Sequence, residues 1–136
     1  MPAWRPPSPG DLVWCWFPEL PAKAPGPKPR PALVVDVVGR ADGVVVQVVY
    51  GTSKRVDRLT AGQFAIRRDA NPSAFALAGL AFDTKFDFKV LIDLPWSDQF
   101  FKVPPRALHG QTPKLGTLHP SLVRAAKAAY DAAAGR

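Results

Sequence analysis

The residue in this sequence that is best suited to bind a phosphate group is an arginine between two prolines. Arg30 lies between Pro29 and Pro31, directly before an apolar run. A guanidinium group presents a planar fork of N–H donors that can hold two phosphoryl oxygens at once. The flanking prolines restrict the backbone, so the side chain has less conformational freedom to lose when it binds. From the residues alone, a surface arginine that ends a loop is the commoner interpretation.

Two hydroxyl residues and a cluster of basic residues follow the second β-branched run. Thr52 and Ser53 come directly after Gly51, where either hydroxyl could donate a hydrogen bond to a phosphate. Gly-Thr-Ser is also ordinary turn chemistry, so the residues alone do not single out either one. The basic residues that follow indicate a solvated surface that attracts phosphates without sequence preference. They are Lys54, Arg55, Arg58, Arg67 and Arg68.

Several other kinds of site have no support in the sequence. A single cysteine, Cys15, excludes an internal disulfide and a multi-cysteine zinc site, and its apolar neighbours predict a small buried hydrophobe rather than a reactive thiol. There is no glycine-rich phosphate loop, no pair of carboxylates at a useful spacing, and no nucleophile beside a base. We therefore expect no metal and no cofactor.

Short apolar runs, separated by proline and glycine, predict the strands that position these residues. Asp11–Phe17 is apolar on both faces, so we expect a strand that is covered on both sides. The core is expected to cover it, and a partner subunit is a candidate for the second side. Ala32–Val38 and Val44–Tyr50 are β-branched runs whose linker, Gly39–Gly43, predicts a hairpin turn. Lys85–Leu94 alternates along its length, which predicts a strand with one apolar face and one face in water.

The remaining elements are shorter, except for the last. Gln63–Arg67 predicts a weak strand, Phe100–Val103 a further one, and Asp69–Gly79 either a loop or a short helix. Pro120–Ala134 has apolar residues at helical spacing, with proline in its first turn and Gly135 after its end. About five hairpin-rich strands followed by a C-terminal helix predict a mainly β fold, built as a strongly bent sheet or small barrel.

Length and charge limit the organisation and the partners of the chain. We expect a single domain over residues 1–136, with a proline-rich arm over residues 1–10. A net charge of +7 favours a polyanionic partner, either nucleic acid or an acidic protein. The N-terminus lacks the apolar core of a secretory signal, and no apolar run is long enough to span a bilayer. These features predict a cytoplasmic protein.

Three segments in this order resemble the MazF/PemK family of toxins from type II toxin–antitoxin systems. Pro9–Trp14 is similar to the Gly-Asp-(Ile/Leu)-Val-Trp opening strand of that family, and Lys28–Val35 to its Arg-Pro-Ala strand after a flexible loop. Gly51–Lys54 is similar to the strand end at which the family places a hydroxyl residue, and Lys114–Leu118 is a weaker match. Residues 55–83 match poorly, and the family selects its RNA sequence partly with loops.

The resemblance implies an SH3-like small β-barrel of the CcdB/MazF/PemK kind, a homodimer, and an acidic cognate antitoxin that blocks the site. It also implies a metal-independent endoribonuclease toxin that cleaves single-stranded RNA at specific sequences by 2′-OH attack, and so inhibits translation and growth. The implied catalytic residues are Arg30 with Thr52 or Ser53. The implied RNA-binding residues are Lys28, Lys54, Arg55 and Arg58.

The chemistry of arginine limits the role that Arg30 can have. An arginine stays protonated in proteins, so we assign Arg30 to stabilising negative charge on the phosphoryl oxygens rather than to removing a proton. His109 and His119 offer a rival acid–base pair. Both lie in the Pro/Gly-rich approach to the last helix, and the position of His119 before Pro120 favours a solvated or helix-capping role instead.

Two alternatives use the same fold. One is a non-catalytic basic barrel, which binds either RNA or, like the related CcdB toxins, DNA gyrase. The other is a family relative that has lost its toxicity. The combination of Arg30 with Thr52 favours the nuclease, because a protein that only binds has no need of this pairing.

Overall fold

The computed structural model describes residues 4–135, and in this part of the chain six antiparallel strands form one sheet. The strands are β1 (Asp11–Cys15), β2 (Arg30–Arg40), β3 (Gly43–Thr52), β4 (Gln63–Ile66), β5 (Thr84–Pro95) and β6 (Lys114–Thr117). The helices are α1 (Pro72–Ala78) and α2 (Val123–Ala133), and a 3-10 turn, Pro120–Leu122, leads into α2. The strand order across the sheet is β4-β5-β3-β2-β1-β6.

The mainly β fold with a C-terminal helix, which the sequence predicts, is confirmed. The sheet is not closed into a full barrel, because β4 and β6 lie at its two edges and do not pair with each other. Helix α1 contacts β6, whereas α2 contacts β4 and β5. In a closed barrel, the two edge strands would pair with each other. Here α1 packs beside one edge strand, β6, and α2 packs beside the other, β4.

Strand β1 is buried on both faces within this chain. Leu12 belongs to a core cluster that the sheet shares with both helices, whereas Val13 and Cys15 belong to a second cluster on the opposite face, with Phe101. Burial among apolar groups raises the pKa of the Cys15 thiol, which confirms this residue as a small buried hydrophobe. The expected cover on both sides of β1 is confirmed, and no partner subunit is required to provide it.

The hairpin between β2 and β3 positions the ends of both strands. Its register pairs Arg40 with Gly43, so the turn consists of Ala41 and Asp42. β2 begins earlier than the sequence predicts, because its first residues pair with β1 as well, through Cys15 and Arg30. β3 also extends beyond Tyr50, to Thr52, by pairing with β5. Arg30 and Thr52 therefore lie within the ends of strands and not in loops.

An irregularity in β5 changes the predicted pattern of its faces. The register with β3 shifts from Tyr50 opposite Asp87 to Val49 opposite Leu91, which leaves intervening residues of β5 unpaired with β3. Such extra residues bend a strand and change which side its residues face. Phe86 and Phe88 consequently join the first core cluster, whereas Leu94 joins the second. The prediction of one continuous apolar face along Lys85–Leu94 is wrong.

The shorter elements differ in how well the sequence predicts them. Asp69–Gly79 contains the short helix α1, the second of the two alternatives, and β4 lies where a weak strand is expected. Phe100–Val103 does not form a named strand, because Phe101 makes only an isolated bridge to Cys15. Strand β6 has four residues and is too short to be recognised from its pattern. No helix within residues 4–135 is long and apolar enough to cross a membrane.

A close backbone contact fixes α1 against β6. A side chain at Gly116, in β6, would overlap the carbonyl oxygens of Leu77 and Ala78, near the end of α1. Glycine at this position lets the helix approach the strand at backbone distance. The helix then stands beside the region where β2 begins and β3 ends.

Candidate functional site

A groove of about 810 Å³ lies at the point where β2 begins and β3 ends. The predicted catalytic residues Arg30, Thr52 and Ser53 all line it, and so does Lys28. One wall comes from α1 and the segment that follows it, through residues such as Phe75. Another part of the lining comes from the loop before β6. Its lining residues are Pro104, Pro105, Arg106 and Leu108.

The register of the sheet brings Arg30 and Thr52 together. The pairing of β2 with β3 reaches Ala32 and Tyr50, so Arg30 and Thr52 each lie two residues beyond the last pair, at neighbouring strand ends. Because both residues also line the groove, their side chains can act on one bound group.

An aromatic pair supports the Arg30 side chain. The guanidinium carbon lies 5.5 Å from the centroid of the Tyr50 ring, and Tyr50 packs edge-to-face on Phe17 with 5.2 Å between ring centroids. A cation over an aromatic face is attracted by the quadrupole of the ring, which favours this placement of the guanidinium. Within residues 4–135, the guanidinium forms no side-chain hydrogen bond or ion pair. Its donors are therefore available to a ligand.

The two candidate hydroxyl groups differ in their surroundings. Thr52 is 9% exposed, and its Oγ1 accepts a hydrogen bond from the backbone N–H of Lys54 at 3.2 Å. A hydroxyl that accepts in this way can still donate its own proton to another acceptor. Ser53 is exposed, directly follows the end of β3, and also lines the groove. Thr52 therefore has the more fixed of the two hydroxyls.

The strands approach each other very closely beside these residues. A Cβ atom added at Gly51 would lie 2.5 Å from the carbonyl oxygen of Pro31 and 2.8 Å from Cε1 of Phe86. A backbone oxygen cannot move aside without shifting the strand that carries it. Glycine at position 51 thus permits the close approach of the two strands that carry Arg30 and Thr52.

Three of the predicted RNA-binding residues lie outside the groove. Lys54, Arg55 and Arg58 are exposed, in the turn that follows β3, and none of them lines the groove. The carbonyl oxygen of Arg58 accepts a hydrogen bond from Nζ of Lys85 at 2.9 Å, which ties this turn to β5. The structure brings Lys28 together with Arg30 and places the other three on a neighbouring surface.

Two further arginines line the groove, of which sequence reasoning missed Arg106 and placed Arg68 only on the basic surface. Arg106 follows two prolines, much as Arg30 lies between two, and this spacing is a signal that could have identified it. Arg68 is part of the predicted basic surface, but its guanidinium also stacks over the Phe75 ring, 4.8 Å from the centroid, at the edge of the groove. Four cationic side chains therefore line the groove, and its described lining contains no carboxylate and no imidazole.

The two histidines do not take part in this groove. Nδ1 of His119 accepts a hydrogen bond from the backbone N–H of Ser121 at 3.1 Å, which confirms its role as the cap of the turn before α2. His109 is exposed and does not line the groove. Within the described residues, no three or more His, Cys, Asp or Glu side chains group as candidate ligands of a metal ion.

Comparison with solved structures identifies a protein of the same fold. A structure described as an endoribonuclease in complex with its cognate antitoxin, from a mycobacterial species, superposes with a TM-score of 0.58. The match covers 96% of this chain and 96% of that chain, at 19% sequence identity. No family model matches the sequence, and no curated protein matches it. The similarity confirms the fold that the resemblance implies.

We expect Gly51→Ala to lower the free energy of unfolding by about 1–3 kcal/mol, because an added methyl group must push apart a tightly packed backbone. Urea denaturation measures this change. Gly39→Ala is the matched control, since a Cβ atom at Gly39 meets nothing within 4 Å, and this variant should stay within about 0.5 kcal/mol of the wild type. Equal stability of the two variants would show that the strands at Gly51 are not tightly apposed.

Proposed function

We propose that this chain is an endoribonuclease toxin that cleaves single-stranded RNA at specific sequences, without a metal ion, and so inhibits translation and growth in the cytoplasm. The observation that carries the proposal is the groove that Arg30 and Thr52 both line, at the ends of two neighbouring strands. The four cations of the lining suit a polyanionic substrate. The fold similarity to an antitoxin-bound endoribonuclease supports the same function.

In the proposed reaction, the 2′-oxygen of a ribose loses its proton to water and forms a bond to the adjacent phosphorus, while the bond from phosphorus to the 5′-oxygen breaks and the 5′-oxygen takes up a proton from water. The products are a 2′,3′-cyclic phosphate and a 5′-hydroxyl end. Negative charge increases on the two non-bridging oxygens as the reaction proceeds, and the guanidinium of Arg30 stabilises it with two N–H donors. The packing of Arg30 over Tyr50 positions this charge before the substrate arrives.

We assign the hydroxyl of Thr52 as a further donor to the same phosphate. Its Oγ1 is fixed by the hydrogen bond from Lys54, so its O–H can be directed towards the groove without loss of side-chain freedom. Ser53 lines the groove as well and is the second candidate for this role. DNA lacks the 2′-hydroxyl that attacks the phosphorus, so the site acts on RNA alone.

The basic residues bind the phosphates on either side of the one that reacts. Lys28, Arg68 and Arg106 line the groove itself. The exposed turn that carries Lys54, Arg55 and Arg58 continues directly from Ser53, so it extends the positive surface beyond the groove. Contacts of this kind supply affinity for the backbone of any RNA, and sequence preference must come from contacts to bases.

We expect the purified protein to cleave single-stranded RNA in the presence of EDTA and to leave DNA of matched sequence intact. The physical reason is that the fixed charge of Arg30 replaces a metal ion and that DNA has no 2′-hydroxyl. Gel electrophoresis measures cleavage, and end analysis should find 5′-hydroxyl ends. RNA that stays intact in EDTA and is cleaved on addition of magnesium would contradict the mechanism. RNA that is bound but never cleaved would favour the non-catalytic barrel.

We expect Arg30→Lys to be nearly as damaging as Arg30→Ala, although lysine keeps the charge. Loss of a positioned set of donors costs roughly 100- to 1,000-fold in rate, and a lysine cannot reproduce the two-pronged contact. Thr52→Ala should cost less, and His119→Ala little. Arg40→Ala is the matched control for loss of one positive charge, because Arg40 is exposed at the hairpin, far along β2 from Arg30. Single-turnover kinetics measures each variant.

The assignment of the site would be wrong if a correctly folded His119→Ala variant lost cleavage while Arg30→Ala retained it. Circular dichroism and thermal unfolding of both variants establish that each one is folded.

We also propose a homodimer and an acidic cognate antitoxin. The dimer rests on the family resemblance, since β1 is covered within one chain. The antitoxin rests on the net charge of +7 and on the groove, whose lining combines cations with apolar residues such as Phe75 and Leu108. A segment rich in Asp, Glu and apolar side chains complements such a surface and can fold as it binds. It would compete with RNA for Arg30.

We expect light scattering of the pure protein to give about twice the chain mass of 14.7 kDa. A short acidic protein encoded beside this chain should abolish RNA cleavage, and its association should slow as salt rises, because the screening length falls from about 10 Å at 0.1 M to about 3 Å at 1 M. Stopped-flow mixing measures the association rate. A monomer that no neighbouring gene product inhibits would contradict this part of the proposal.

A further inference from the structure

A shallow pocket of about 510 Å³ adjoins the groove beside α1. Four of its lining residues also line the groove, so the two depressions are continuous. These shared residues are Arg68, Phe75, Ala81 and Phe82. The pocket differs from the groove in charge, because Asp69 and Asp83 contribute two carboxylates to its lining. Asp69 also pairs with Arg67 at 3.4 Å, so the pocket has little net positive charge and suits an uncharged planar group better than a phosphate.

Phe82 stands out among the aromatic residues of this chain. Its side chain is 72% exposed, which makes it the most exposed large hydrophobic residue in the described part of the chain. The other seven phenylalanines are buried. Packing of the core therefore accounts for every phenylalanine except this one, which lies at the junction of the pocket and the groove.

The backbone around Phe82 is held in place although its ring is exposed. The carbonyl oxygen of Phe82 accepts a hydrogen bond from Oγ1 of Thr84 at 2.8 Å, and Thr84 is buried. The carboxylate of Asp83 accepts a hydrogen bond from the backbone N–H of Arg68 at 2.8 Å. Arg68 in turn stacks on Phe75. The ring of Phe82 and the guanidinium of Arg68 are thus presented on a fixed frame.

We propose that Phe82, together with Arg68, forms a stacking subsite for the base of a nucleotide that flanks the cut phosphate, an inference that rests on the proposed ribonuclease function. Single-stranded RNA exposes the flat faces of its bases, and proteins bind them on aromatic rings and on guanidinium planes. The groove holds the phosphates at its cations, and the adjoining pocket receives the base beside them. The stacked base then lies on the Phe82 side of Arg30, so the position of Phe82 sets the direction in which the RNA strand crosses the groove.

The test uses a single-stranded RNA oligonucleotide with a mapped cut site and derivatives that lack one base at each position flanking the cut. The variants are Phe82→Ala and Phe82→Trp, with Val123→Ala as a control, because Val123 is an exposed hydrophobic residue of α2 that lines neither depression. Exposure of Phe82 predicts that all three variants fold, and thermal unfolding verifies this. Steady-state kinetics separates KM from kcat for each combination of enzyme and RNA.

We expect Phe82→Ala to raise KM between about 5-fold and 150-fold on the intact RNA, the range for loss of one stacked base, with kcat little changed. Phe82→Trp should keep the wild-type KM, as should Val123→Ala. For the RNA that lacks the stacked base, wild type and Phe82→Ala should have the same KM, because the contact is absent in both. Loss of kcat on mutation of Arg30, by contrast, reports on the reaction itself.

If the wild-type protein cleaves RNA and Phe82→Ala has the wild-type KM on every oligonucleotide, the result overturns the subsite and leaves the proposed function intact. The same unchanged KM, with weaker inhibition by the acidic antitoxin, would also overturn it and assign Phe82 to protein binding. A wild-type protein that cleaves no RNA would overturn the proposed function, and the subsite with it.

Discussion

The close antiparallel contact between β2 and β3 at Pro31 and Gly51 is the constraint on which the site depends. It brings together the strand ends that carry Arg30 and Thr52, and a side chain at position 51 would overlap the carbonyl oxygen of Pro31. The ring of Tyr50 supports the guanidinium, and the packing of α1 against Gly116 holds the helix that forms one wall of the groove.

Positive and negative side chains lie in different parts of this surface. This separation suits a nucleic acid strand, in which charged phosphates and uncharged bases are separate groups. Cations line the groove, and the carboxylates of Asp69 and Asp83 lie in the adjoining pocket beside Phe82. A phosphodiester is attracted more strongly to the first region than to the second. Charge stabilisation by fixed cations is the chemistry that the groove offers, because its described lining contains no carboxylate and no imidazole that could act as a general base.

Local sequence signals predicted the elements that carry Arg30 and Thr52. The two β-branched runs and the flexible residues between them specify the hairpin, and the prolines around Arg30 mark its position at a strand end. Gly-Thr-Ser is common in turns, so the residues alone do not select Thr52 or Ser53 as part of a site. The family resemblance is needed to select them. Their location in the same groove as Arg30 agrees with that selection.

Features that depend on contacts between distant segments could not be predicted in this way. Arg106 lines the groove because a loop more than fifty residues beyond Thr52 folds back beside β1, where Phe101 bridges to Cys15. The shift of register in β5 depends on pairing with β3, so the alternating pattern of the strand did not reveal it. The sequence does not distinguish Phe82 from the phenylalanines of the core, because its exposure of 72% depends on how α1 and β5 pack around it.

The most direct test of the central claim is a crystal structure of this protein with RNA that carries a 2′-deoxyribose at the cut nucleotide, which prevents the attack. We expect the guanidinium of Arg30 to donate two hydrogen bonds of roughly 2.7–2.9 Å to the non-bridging oxygens of the uncut phosphate, with the hydroxyl of Thr52 directed at the same group. A phosphate that lies beyond hydrogen-bond distance of Arg30, or an RNA bound on another face of the sheet, would contradict the account.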